Sequence, residues 1–174
     1  VPSHKKHTLV ALVDDHPGVM NRVVSLFRRR GFNIESISVG ATETPMVSRI
    51  TMVVDASNVE IDQVIKQLYK LLEVRKVVDL TFDPSVEREL ALVKVTATKD
   101  TRSEIMQMVS IYQGKIVDVT RNTIIVELAS SVEKVESLIA LLRPFGIKEI
   151  ARTGRVAMAR GASEISVVRD EATA

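Results

Sequence analysis

The stretch Thr8-Leu9-Val10-Ala11-Leu12-Val13-Asp14-Asp15-His16-Pro17-Gly18-Val19 decides how the chain is read. Its first part is short, apolar and rich in β-formers, then stops abruptly at a turn, as a buried strand does. From Val19 the apolar residues fall at Val19, Val23, Leu26 and Phe27, which lie on one face of a helix. Arg28, Arg29 and Arg30 load the last turn, where cations suit the helix dipole, and Gly31 is a natural C-cap. Residues 33–41 alternate as a second strand, with Ile34, Ser36 and Ser38 on one face and Glu35, Ile37 and Val39 on the other. A turn at 42–45 and a third strand at 47–54 follow. Ile61, Val64, Ile65, Leu68 and Leu72 then mark a second amphipathic helix, and 76–82 a fourth strand. The order is β-α-β-β-α-β.

Asp83-Pro84-Ser85 interrupts, and proline is excluded from central strands, so the domain boundary falls there. The second half repeats the order. A strand at 90–97 leads to a helix marked by Ile105, Met106, Val109 and Tyr112, then a hairpin of 115–120 and 123–128 around Arg121-Asn122. Val135, Leu138, Ile139 and Leu142 mark another helix, stopped by Pro144 and Gly146. A last strand spans 147–158, interrupted near Gly154, and the tail from 160 has weak periodicity and is expected to fray. The fold class is therefore α+β, two tandem ferredoxin-like βαββαβ domains, each a sheet with two helices on one face. Their expected spans are 7–83 and 86–161, with 162–174 a flexible tail. Val10, Leu12, Ile50, Met52 and Val54 make both faces of the first sheet apolar, which predicts oligomerisation or partner docking.

Composition narrows the function. The chain has 174 residues, long enough to bury about 70% of its unfolded surface. It is 45% hydrophobic and 26% charged, with a net charge of only +2, so no basic excess points to nucleic acid. Cysteine is absent, which removes disulfides, thiol nucleophiles and Cys-based metal sites. No further ligands join His4, His7 and His16 in a zinc pattern. At 3% aromatics the chain lacks a base-stacking platform, and strands 8–13 and 47–54 have none of the aromatics an RNA-binding split-βαβ module needs. No apolar run reaches the ~20 residues that cross a bilayer. The chain starts at Val1, as a processed or trimmed chain would, and residues 1–7 contain no signal-peptide apolar region. A soluble, intracellular protein with no membrane or nucleic-acid partner is expected.

No catalytic constellation emerges. There is no G-x-S-x-G elbow, no G-x-x-x-x-G-K-[ST] loop and no G-x-G-x-x-G, and the glycine spacing of 154–161 matches none of them. The turn at 14–18 is sharper. Gly18, Val19 and Met20 would offer backbone N–H groups at a helix N-terminus, suited to a carboxylate, while Asp15 could accept bonds from an ammonium group. Together these would hold both charged ends of a free amino acid. The plainer reading is that Asp15 or His16 caps the helix and Pro17-Gly18 turns the chain. Arg28-Arg29-Arg30 reads as a solvated helix end, and Met106 and Met108 as core and edge filling.

The block 13–23 (V-D-D-H-P-G-V-M-N-R-V) followed by 26–40 (L-F-R-R-R-G-F-N-I-E-S-I-S-V-G) resembles the ACT domain of the acetolactate synthase (acetohydroxyacid synthase) small, regulatory subunit. The likeness continues through Ser48-Arg49-Ile50-Thr51, 87–95, Val117-Asp118-Val119-Thr120 and the closing 151–161 (A-R-T-G-R-V-A-M-A-R-G), so it covers about 8–161. The resemblance implies a non-catalytic subunit that activates a separate catalytic (large) subunit and confers feedback inhibition by valine in branched-chain amino-acid biosynthesis, the choice among valine, leucine and isoleucine being left open by the sequence. Thiamine diphosphate, magnesium and FAD belong to that partner, and no cofactor or metal to this chain. It further implies a homodimer through the ACT domains and a cytoplasmic location, or the plastid stroma for a plant chain with its transit peptide removed. The effector would lie at the dimer interface. One chain would contribute Asp15, His16, Pro17, Gly18, Val19 and Met20, and the other Asn33 and Ile34. Many family members carry Asn where this chain has Asp15. An ionised Asp15 cannot donate a hydrogen bond and repels a carboxylate, so the effector's ammonium should face Asp15 and its carboxylate the 18–20 amides. A free-standing amino-acid sensor without a synthase partner is the alternative.

Overall fold

The computed structural model describes residues 5–167. The chain divides into two compact units. One runs up to Val86 and takes in the segment from Arg155 onward; the other spans Glu87–Gly154. The fold is the expected tandem of β-α-β-β-α-β units, but residues 155–161 group with the first unit rather than the second.

In the first unit β1 (Lys5–Asp14), α1 (Val19–Arg30), β2 (Ile34–Ala41), β3 (Val47–Ala56), α2 (Asn58–Leu68) and β4 (Val74–Asp79) form an antiparallel sheet of order β2-β3-β1-β4. Strand alternation sends Leu9, Ala11, Val13, Ile50, Met52 and Val54 to one face. There they meet Val19, Val23, Leu26 and Phe27 of α1 and Ile61, Val64 and Leu68 of α2. Ser57 and Glu60 form a capping box that starts α2. Gly31 ends α1 at φ 72°, its N–H returning to the Arg28 carbonyl.

Three sequence expectations change here. Leu72 lies beyond the end of α2 and is 97% exposed, while Leu71 packs against the core in its place. In β2 a bulge between Ile34 and Ser36 adds a residue to the strand. Ile34 and Ile37 therefore pack against the same core instead of pointing to opposite faces. The third change concerns the other face of the sheet. Val10 there is fully buried in a cluster with Leu80 and Ala157, flanked by Val78, Ala159 and Ile165. The chain covers that part of the sheet with its own C-terminal segment, so its apolar character is no argument for an external partner. Arg160 is bonded to the Pro84 carbonyl and Ile165 packs on this cluster, while 161–164 between them are exposed; 168–174 lie outside the described residues.

The second unit holds β5 (Ser85–Thr96), α3 (Arg102–Ile111), β6 (Lys115–Val119), β7 (Thr123–Ser130), α4 (Val132–Leu142) and β8 (Ile147–Arg152), in the order β6-β7-β5-β8. The expected last strand is two: after Gly154 the chain forms β9 (Val156–Ala159), which belongs to the first unit. Ala91, Val93, Val95, Ile124, Val126 and Leu128 pack against Ile105, Val109, Val135, Leu138, Ile139 and Leu142. Met106 is half exposed on α3 rather than core, and Met108 is partly buried. Arg152 joins buried Glu89 to Glu136. Burial lowers the Arg152 pKa, but hydrogen bonds and charges from Glu136 and Glu89 outweigh it and hold the guanidinium above its ordinary value.

Candidate functional site

The turn between β1 and α1 is pinned from several sides. The Asp14 N–H donates to the Glu73 carbonyl and the Asp15 N–H to the Met46 carbonyl, both at 2.9 Å. The Asp14 carboxylate accepts from Arg75 Nε, and Arg22 of α1 pairs with Glu73. Such partly exposed ion pairs add little stability, but together they hold the strand end and the helix start in one place. Glu73, Arg75 and Met46 carry no local motif, and their distance along the chain hid this role from a sequence reading.

Gly18 is the α1 N-cap, at φ 91°. That backbone is strained for a residue bearing a Cβ and accessible to glycine. No side chain caps the helix, and no acidic residue stands in its first turn. The Val19 N–H makes only a long 3.4 Å bond to the His16 carbonyl. The plain capping role is therefore not played by Asp15 or His16, whose side chains are exposed. Pro17 and Gly18 are exposed as well, Met20 is partly buried, and Val19 anchors the turn in the core. The positive end of the helix is left without a side-chain cap, three residues after Asp15 in the chain.

Asn33 and Ile34 sit at the other end of α1. The twelve-residue helix, roughly 18 Å along its axis, runs between Gly18 and the Asn33 end. A single chain therefore does not bring the two halves of the predicted site together. Asn33 and Ile34 instead line a shallow, open groove with Val24, Phe27, Arg28, Gly31 and Phe32. Its largely apolar wall suits an aliphatic group. Val24, Phe27 and Phe32 were missed as lining residues because helix periodicity identifies a buried face but not a gap beside it.

His7, a candidate ligand in sequence, is buried, with Nδ1 3.0 Å from Asp79 Oδ2 and its ring edge-on to Phe82. His4 lies outside the described residues. Among the described residues no group of three or more His, Asp or Glu side chains is placed to hold a metal ion. No helix among them is long and apolar enough to cross a membrane.

Tandem split-βαβ units with this strand order define an ACT-type α+β protein. Residues 9–76 match the family model described as the AHAS small subunit-like ACT domain, and 88–161 the one described as the small subunit of acetolactate synthase. A probable acetolactate synthase small subunit of Archaeoglobus fulgidus is 51% identical over 156 residues, covering 90% of this chain and 98% of the relative. The acetolactate synthase small subunit of Mycobacterium leprae is 47% identical over 163 residues, covering 94% and 96%. The crystal structure of the Thermotoga maritima small subunit superposes with a TM-score of 0.85 at 46% identity, covering 91% of this chain and 99% of that one. The chain belongs to the acetolactate synthase small-subunit family.

Proposed function

We propose that this chain is the regulatory subunit of an acetolactate synthase, activating a thiamine-diphosphate-dependent catalytic subunit and conferring feedback inhibition by L-valine. The observation that carries this reading is the uncapped, acid-free N-terminus of α1 at Gly18, in a member of the small-subunit family. Thiamine diphosphate, magnesium and FAD reside on the catalytic partner. Two copies pair through their first units, so that Asp15, His16, Pro17, Gly18, Val19 and Met20 of one protomer face Asn33 and Ile34 of the other. The separation of these groups along α1 supports this arrangement, since one chain alone offers only half a site at each end.

In the proposed site the α1 amides bind the effector carboxylate and Asp15 binds its ammonium. The aliphatic side chain lies against Ile34. Valine, leucine and isoleucine should be separated only modestly, because one methylene in an apolar pocket is worth about 1–3 kcal/mol. To regulate, the effector must bind one arrangement of the dimer better than another. A coupling of about 1–3 kcal/mol corresponds to a five- to 150-fold change.

Calorimetric titration with L-valine, with D-valine as control, tests the site, and reconstitution with the catalytic subunit tests the regulation. Stereoselective binding, near one effector per chain or per dimer, is expected. Failure of L-valine both to bind the chain and to inhibit the reconstituted pair would overturn the proposal. The Asp15→Asn variant should bind L-valine about tenfold more weakly, the order of one lost charge-assisted bond. Unchanged affinity would remove Asp15 from the ammonium side.

A further inference from the structure

The chain passes between its two units twice, at Val86/Glu87 and at Gly154/Arg155. The segment that begins at the second crossing is fastened to the first unit at each step. The Arg155 N–H donates to Ser36 Oγ at 2.9 Å. The Ala157 carbonyl accepts from the Arg49 guanidinium at 2.6 Å, and Ala157 itself is buried against Val10 and Leu80. Burial lowers the Arg49 pKa, an effect the charge of Glu43 opposes. Further on, Arg160 donates from its backbone N–H to the Pro84 carbonyl and from Nε to the Ser85 carbonyl, so the returning segment is tied to the residues just before the first crossing. Ile165 completes the apolar contact.

The position of Ser36 gives this strap a meaning. It stands on β2, on the far side of the bulge from Ile34 and three residues after Asn33. Regular pairing of β2 with β3 resumes at Ser36, directly after the bulge. Only Glu35 separates Ile34 from Ser36, and the Ser36 hydroxyl holds the amide of the first residue after the second unit ends. The other contacts fix Ala157, Arg160 and Ile165 on the first unit, which leaves Arg155, next to Gly154, as the residue through which a shift of Ser36 would pass to the second unit.

We propose that Ser36 is a positioning residue that couples the effector side of the first unit to the second unit, by holding the Arg155 amide at the crossing. This rests on the effector site proposed above. Ser36 touches no effector; it acts through the strap.

The test uses the full chain reconstituted with its catalytic subunit. L-Valine affinity is read by calorimetry, and activation and maximal inhibition by turnover, for wild type, Ser36→Ala and Ser36→Thr. The alanine variant should bind L-valine within twofold of wild type and still activate, yet its maximal inhibition should fall at least threefold. Threonine, which keeps the hydroxyl on a strand that suits it, should restore inhibition. Amide exchange at Arg155 should quicken in the alanine variant and return to the wild-type rate with threonine. Full inhibition in Ser36→Ala overturns the coupling role. Parallel loss of binding and inhibition also overturns it, reducing Ser36 to a support for the effector strand. A wild-type chain that neither binds L-valine nor inhibits overturns the effector reading, and this inference with it.

Discussion

Replacing Gly18 with leucine should produce a subunit that still activates the catalytic partner but no longer transmits valine inhibition. Two costs of the change must be separated. A Cβ built on Gly18 meets nothing within 4 Å, so the chain itself has room for a side chain. The backbone objects instead, because φ is 91° and a leucine there is strained by roughly 1 kcal/mol. For a chain of this length that lowers the melting temperature by about 2–4 °C, not enough to unfold it. The space the side chain enters is where the α1 amides would meet a carboxylate, and a ligand held off those donors loses its charge-assisted bonds. Gly18→Asn supplies the control. Asparagine tolerates positive φ better than leucine, yet it also fills the approach to the amides. Both variants should resist valine, and only leucine should melt measurably lower. Retained inhibition in both would sink the carboxylate assignment. Loss of activation together with inhibition would mean that strain, not blockage, is at work.

The element order and the family were legible in the sequence because each signal was local. The strand at 8–13, the 19–27 helix face and the Gly31 cap depend on neighbours within a few residues, and all stand in the structure. Leu72 misled because it continues the 61–68 spacing past the end of the helix, where spacing no longer reports burial. The bulge in β2 was invisible for a related reason. Alternation assumes one residue per step, and the register that breaks it is set by β3, not by β2 itself. The least legible feature was the return of 155–165 to the first sheet. Nothing in Val156, Ala157 or Met158 says which strand they will meet. The apolar Val10 face had no visible partner in sequence, and a second chain was expected to cover what the molecule covers with its own end. The halves of the candidate site were legible one by one, Gly18 from its turn and Asn33 from the family block. Their separation along α1 follows only once the helix is built.

Phe27→Ala should be the most destabilising single change in the first unit, and its contrast with Val24→Ala tests which face of α1 carries the fold. Phe27 is 1% exposed and packs with Val19, Val23 and Leu26 against the central strands. Truncating a buried phenylalanine costs about 3–5 kcal/mol, part transfer free energy and part the cavity left behind. Phe27 is enclosed by Val23, Leu26 and the sheet residues of the core, and its removal leaves a void among them. Against a total stability of about 5–15 kcal/mol, the first unit would lie at or near unfolding. Val24 lines the groove beside Asn33 three residues earlier but is 42% exposed. Its truncation removes little buried surface, and alanine is the better helix former, so stability should change by less than about 0.5 kcal/mol. Denaturant unfolding of the two variants reads the difference directly. Similar costs for both would mean that α1 is not held by its 19-23-26-27 face. Gly18 would then lack the rigid mount from which its amides are offered to a ligand, since that turn is positioned by the helix behind it.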